Sequence, residues 1–296
     1  MTNIGLFNKI KSYFYFKLVY PYKIKRPNIF VKYNFRNNKL EIKIIHGFQS
    51  RNEATIILFL EAFALIKQNF NKNFSIKFYT GDYPIINQKC FSYSKSNEDE
   101  NIITIPNFDF AFWKEAGIND YQRQIDKIIE KSKVGFEVPK LFWIGNTQTN
   151  LTRQIFFNKF KNENIIECIH FDPSDKTTIN NFVTLEDHCK YKYLIDLQGN
   201  GYSGRIKYLL FTGRPIIIQD RKYKTFYHSQ LIPYEHYIPV KEDFSDLMAK
   251  INWLEENPEA AIEIGINAKN FAINNLQKES VINFYANQII EYIKSC

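Results

Sequence analysis

Residues 193–213 read YLIDLQGNGYSGRIKYLLFTG, an apolar run, three glycines in six residues, then a basic and aliphatic stretch. Gly199, Gly201 and Gly204 fit G-x-G-x-x-G between a strand-like and a helix-like segment, the setting in which such a turn cradles a phosphate. Glycines let the backbone approach closely, and unpaired N–H groups at a helix start carry partial positive charge. Two ligands compete for this loop. A dinucleotide wants an acid about 20 residues further on, and Asp220 closes the next apolar run, IIIQD, which favours an NAD-dependent oxidoreductase. Arg205 and Lys207 instead add full charges just after the last glycine, and these suit an exposed, departing diphosphate. Tyr202 beside the turn either stacks on a base or sugar or serves as packing.

The elements around the loop follow from periodicity. KLEIKIIHGF reads as a strand and turn, NEATIILFLEAFALIKQNF as a helix with Asn52 a candidate cap, and FSIKFYTGDYP as a returning strand that ends in a polar turn. KCFSYSKS and NIITIPNF add strand-like pieces, residues 120–133 a charged surface helix, and VGFEVPK a linker. A second series runs from LFWIGNTQT through IFFNKFKN, IIECIHF and the glycine loop to RPIIIQD. The rest is helical, with Asp243 or Ser245 as candidate N-caps and Pro258 opening a new helix. The expected organisation is an α/β protein of two lobes: residues 1–138, residues 139–272, and a C-terminal helix over 273–296. Loops at the carboxyl ends of the strands, GDYP and GNGYSGR among them, would face a cleft between the lobes.

At 296 residues with 45% hydrophobic and 17% aromatic side chains, the chain is long enough for two cores. A net charge of +8 raises nucleic acid, an anionic membrane or a phosphorylated substrate as partners. No C2H2, helix-turn-helix or RRM pattern is present, so nucleic acid is not expected. The basic residues concentrate in residues 1–27, where Leu6, Phe7, Ile10 and Phe14 recur at helical spacing. That segment either lies peripherally on an anionic membrane or packs as a first helix. It lacks a secretory cleavage site, and no uncharged apolar run approaches the length of a membrane span. Cys90, Cys168, Cys189 and Cys296 form no C-x-x-C pair, so a cytoplasmic location is expected. The histidines show no H-E-x-x-H spacing and no D-x-D occurs, so the metal ligands of a metal-dependent site are missing.

The stretches EDHCKYKYLIDLQGNGYSGRIKYLLFTGRPIIIQD and FYHSQLIPYEHYIPVKEDFSDLMAKINWLEEN resemble the signature region of glycosyltransferase family 90. The likeness is dense from about Glu186 to Ala272 and looser upstream through GDYP, FSYSKS and FWIGNTQTNLTR. The family includes protein O-glucosyltransferases, fungal capsule-associated xylosyltransferases and bacterial lipopolysaccharide glycosyltransferases. The resemblance implies a GT-B fold, with two Rossmann-like lobes that bind a nucleotide sugar between them, and inversion at the anomeric carbon without a metal or other cofactor. It makes Asp82 of GDYP the general base, where the residue alone would read as a turn former before Pro84. It places Ser203 and Arg205, with Gly201, Tyr202 and Gly204, on the diphosphate loop. Gly145 and Asn146 match a small-residue turn near the nucleotide, and Arg153 a second arginine, one residue further from the glycine than in the family's pattern. The expected donor is a UDP-sugar. The expected acceptor is a lipid-linked glycan, as in lipopolysaccharide synthesis, with protein O-glycosylation as the alternative.

Overall fold

The computed structural model describes residues 16–18, 27–82, 84 and 89–295. The expected amphipathic lead falls outside the described residues, apart from a short strand β1 (Phe16–Leu18) paired parallel to β3 (Lys39–Ile44). Two compact α/β units form, as the alternating pattern leads one to expect. Their division differs from the anticipated boundaries: residues 122–277 make one unit, and residues 1–121 join residues 278–296 in the other.

In the first unit, β2 (Ile29–Asn34) and β3 (Lys39–Ile44) are an antiparallel hairpin closed by FRNN, with Asn38 at φ 50°. The hairpin was missed in the sequence because only its second strand was read, although IFVKYN alternates inward Ile29, Val31 and Tyr33 with outward residues. The strands β4 (Phe74–Tyr79), β5 (Cys90–Ser92) and β6 (Ile102–Thr104) complete the order β1-β3-β2-β4-β5-β6. Because β2 runs antiparallel to β3 and β4, this sheet is mixed rather than all parallel as in a strict Rossmann lobe. Helix α1 (Gln49–Ile66) packs against α7 (Lys278–Lys294), with the rings of Phe59 and Tyr285 6.4 Å apart, and α7 also meets β5, with the rings of Phe91 and Tyr292 5.1 Å apart. The last helix therefore fills the first unit's core and is not a separate tail.

The second unit begins within α2 (Tyr121–Lys131), one residue after its start, and the helix ties to it through Gln124 Nε2 donating to Glu186 at 2.8 Å. Its five strands are β7 (Val138–Gly145), β8 (Ile166–His170), β9 (Tyr191–Asp196), β10 (Ile216–Gln219) and β11 (Ile238–Val240). All pair parallel in the order β11-β10-β9-β7-β8. The central strands are apolar on both faces because helices cover both, which is why YLID and IIIQ read as continuous hydrophobic runs. Those helices are α3 (Leu151–Phe160), α4 (Ile206–Leu210), α5 (Leu247–Glu256) and α6 (Pro258–Asn275), the last opened by its proline as expected. This is a doubly wound order, and its direction reverses between β7 and β9, the topological switch point at which such sheets bind ligands.

Helix α6 approaches the turn after α4 through two glycines. A Cβ on Gly265 would stand 2.3 Å from the carbonyl oxygen of Gly213, itself at φ 67°. Gly265→Ala is expected to cost about 1–3 kcal/mol by forcing the helix off the turn. Gly135→Ala, where a Cβ meets nothing within 4 Å, is the control expected to stay within about 0.5 kcal/mol in urea unfolding.

Candidate functional site

The loops that leave β7 and β9 at the switch point are tied together by side chains. Gly145 ends β7 where a Cβ would meet the Trp143 ring at 3.0 Å and Arg153 Nη1 at 3.5 Å. Asn146 caps the next turn, accepting from Gln148 N at 2.7 Å and donating to Asp172 at 2.8 Å. Asn150 caps α3 by accepting from Arg153 N at 2.9 Å, and its amide donates across to the carbonyls of Gln198 and Gly199. Arg153 Nε donates to Gln198 O at 2.8 Å while its guanidinium lies over Trp143. Arg153 thus meets the glycine loop despite its offset spacing.

Within that loop Gly199 N donates to Tyr202 O at 3.0 Å, and a Cβ on Gly199 would stand 2.6 Å from that oxygen, so only glycine closes the turn. Ser203, expected at the phosphate, points inward and donates to Asp196 Oδ1 at 2.7 Å. Tyr202 is buried, which makes it packing and not an exposed stacking platform. Lys207 is also buried and donates to Gly204 O at 2.7 Å, so its charge is held inside the turn. Helix α4 has only five residues, and arginine side chains rather than a helix terminus supply the positive charge here.

Asp196 organises those charges. Its carboxylate is fully buried at the end of β9 and accepts from Arg221 Nη1 at 2.7 Å, with Arg205 Nε 3.8 Å away. Arg221 also donates to the carbonyls of Asp196 and Gln219. Arg205 Nη1 donates to Ile144 O, and its buried Nε has no hydrogen-bond partner among the described residues. One carboxylate among three guanidiniums leaves the cluster cationic. Burial, reinforced by the neighbouring Arg205 and Arg221 charges against Asp196, pushes Arg153 down to about 9. Burial also lowers Arg205, with Asp196 opposing it and Arg221 adding to it. An anion in the loop would relieve both. Neither Asp196 nor Arg221 was singled out in the sequence; the available signals were an acid inside an apolar strand and an arginine just past a strand end.

The dinucleotide reading falls here. The glycine run follows the third strand of the unit rather than the first, and its helix is too short for the fingerprint's strand–helix packing. Asp220, its intended ribose ligand, is largely exposed beside Lys224. The Asp187–Lys190 turn is structural: Thr184 Oγ1 donates to Asp187 and Lys190 pairs with it. Among the described residues no group of three or more His, Cys, Asp or Glu stands where it could hold a metal ion.

In the first unit Asp82 follows β4, and Arg51 Nη1 donates to its Oδ1 at 2.9 Å. Thr80 precedes it in a buried tie with Asn28 and Asn52. Asn52 is therefore not the cap of α1, which starts at Gln49 after Phe48; its side chain serves the tie instead.

His188 is buried, with Nδ1 donating to Thr184 O at 2.8 Å. Burial, with Arg205 nearby, pushes it down to about 3. The folded protein keeps it neutral while the unfolded chain takes up a proton below about pH 6.5, so its contribution is complete above that value and is lost as pH falls. Between pH 7 and pH 5 His188→Gln is expected to lose about 2 kcal/mol less stability than the parent, as read by urea unfolding.

Residues 73–296 match the family described as Glycosyl transferase family 90, a span that includes Asp82 and all of the second unit's loops. Protein O-glucosyltransferase 1 of Rattus norvegicus is 38% identical over 112 residues, 38% of this chain and 29% of that protein. Protein O-glucosyltransferase 2 of Danio rerio is 26% identical over 274 residues, 86% of this chain and 53% of that protein. The chain thus spans about half the length of the second relative, and under a third of the first is matched. A glycosyltransferase structure from Rickettsia africae superposes with a TM-score of 0.43 at 13% identity, covering 86% of each chain. With three quarters of its length inside the family's pattern and the loop arginines in place, the chain belongs to glycosyltransferase family 90.

Proposed function

We propose that the protein transfers a hexose from a UDP-sugar to an acceptor hydroxyl in a single inverting displacement. The observation that carries this reading is the cationic loop cluster, in which Arg205 Nε is buried without a hydrogen-bond partner among the described residues. As the anomeric carbon leaves the β-phosphate, charge grows on the diphosphate, and Arg205 and Arg153 meet it in a site where burial strengthens the interaction. Asp82 accepts the proton of the acceptor oxygen as that oxygen bonds to the anomeric carbon. The diphosphate departs with the electron pair of the broken bond. Gly145, Asn146, Gly201 and Gly204 shape the two loops so that the nucleotide can approach their backbone.

The relatives favour glucose as the sugar and a protein hydroxyl as the acceptor, since the two described above are named protein O-glucosyltransferases. This reverses the order of the two acceptors expected from the sequence, where a lipid-linked glycan came first.

Thermal unfolding with UDP, UDP-glucose, GDP and NAD in parallel tests the donor. A uridine ligand at about 100 times its dissociation constant should add roughly 2.7 kcal/mol of stability, an effect lost in Arg205→Ala; stabilisation by NAD alone would overturn the reading. Asp82→Asn should keep the UDP response and lose about 10²–10⁴ in transfer rate. With labelled UDP-glucose, label entering alkali-released serine or threonine glycosides of protein supports the protein acceptor, and label confined to a lipid-linked glycan refutes it.

A further inference from the structure

We infer that Arg51 is a positioning residue for the candidate base, fixing the Asp82 carboxylate from outside its own turn; the inference rests on the reading of Asp82 as that base. Three independent observations support it. The first is the contact itself, Arg51 Nη1 to Asp82 Oδ1 at 2.9 Å, between side chains only 23% and 29% exposed. The second is that the guanidinium is held on its own account, lying 5.0 Å from the centroid of the Phe48 ring and 5.0 Å from that of Phe108. Two aromatic faces restrict a cation in a way that a lone carboxylate on a flexible side chain does not.

The third observation is that both partners are anchored to one buried polar knot. Asn52, the residue after Arg51, accepts from Asn28 Nδ2 at 2.9 Å and from Thr80 Oγ1 at 3.0 Å. Thr80, two residues before Asp82, donates its N–H to Asn28 Oδ1 at 2.9 Å and accepts from Asn28 Nδ2 at 2.7 Å. Arg51 O accepts from Thr55 Oγ1 at 2.7 Å, one turn further along the helix. Gly47 at φ 105° lets the chain pass the knot, since a Cβ there would stand 2.9 Å from Asn28 Nδ2. The start of α1 and the end of β4 are therefore fixed relative to each other, and the Arg51–Asp82 contact spans that fixed gap.

A surface pair formed by chance would have none of this support. A carboxylate that must meet an acceptor hydroxyl at hydrogen-bond distance gains rate from such restraint, and loses it when the restraint is removed although its chemistry is unchanged.

The test uses UDP-glucose and whichever acceptor the labelling experiment returns. Arg51→Met is expected to lower kcat about 10²-fold with the KM for UDP-glucose and the UDP thermal response within about twofold of the parent. Arg51→Lys should regain about a tenfold part of that loss, because the cation survives without the planar fork. Phe48→Ala removes one face of the clamp at an exposed position, and should lower kcat several-fold with an unchanged melting temperature, so the inference is tested even if Arg51→Met folds poorly. Combined with Asp82→Asn, Arg51→Met should cost nothing further. A kcat for both Arg51→Met and Phe48→Ala within about twofold of the parent, or an undiminished effect of Arg51→Met on the Asp82→Asn background, overturns the inference. Full transfer by Asp82→Asn itself would remove the base reading instead, independently of Arg51.

Discussion

The carboxylate of Asp196 holds the second unit's loops together. It accepts from Arg221 and Ser203 and stands near Arg205, so three residues from two connections are referred to one buried oxygen pair at the end of β9. Breaking one partner out of such a buried pair typically costs about 3–5 kcal/mol, because the remaining charge is left without compensation. Around Asp196 the glycine turn closes, Ile144 at the end of β7 receives Arg205, and Gln219 at the end of β10 receives Arg221. The carboxylate neutralises only part of the surrounding charge. That imbalance is what the proposed function uses, with the diphosphate as the anion that offsets it.

The first unit solves a similar problem without charge. Asn28, Asn52 and Thr80 come from three segments far apart in the sequence, and each is buried. Their amide and hydroxyl groups pair with one another, so no desolvated group is stranded at the point where strand and helix meet. A neutral knot of this kind fixes position without adding a net charge of its own. The charged partner that the Asp82 carboxylate meets directly is Arg51.

Much of this was legible in the sequence where local chemistry and position coincide. The glycine loop stood out because phosphate-binding turns need particular residue types at particular spacings, and the buried strands because doubly covered strands are apolar throughout; the Gly145–Asn146 turn and Arg153 came only through the family resemblance, Arg153 at a spacing one residue off its pattern. Residues that act by reaching across the fold were not legible. Arg51 looks like an ordinary first-turn arginine, and Asn52 looks like a cap until the end of β4 is seen to share its side chain. Ser203 had the right type for a phosphate ligand, yet a carboxylate seven residues earlier claims its hydroxyl. The NAD reading followed a correct spacing to Asp220 and failed on strand order, which spacing does not encode. The partition of the units was missed for the same reason, since α7 lies beside α1 only in three dimensions.

The return of α7 to the first unit also sets an order of events during synthesis. Residues 122–277 are contiguous, and their parallel sheet can close as soon as they have emerged from the ribosome. The first unit, although made earlier, lacks Tyr285 and Tyr292 against Phe59 and Phe91 until the helix that follows the second unit has been translated. The part of the chain made first therefore completes its core last, and a ribosome stalled within residues 122–277 would carry a nascent first unit with that apolar face still open to chaperones.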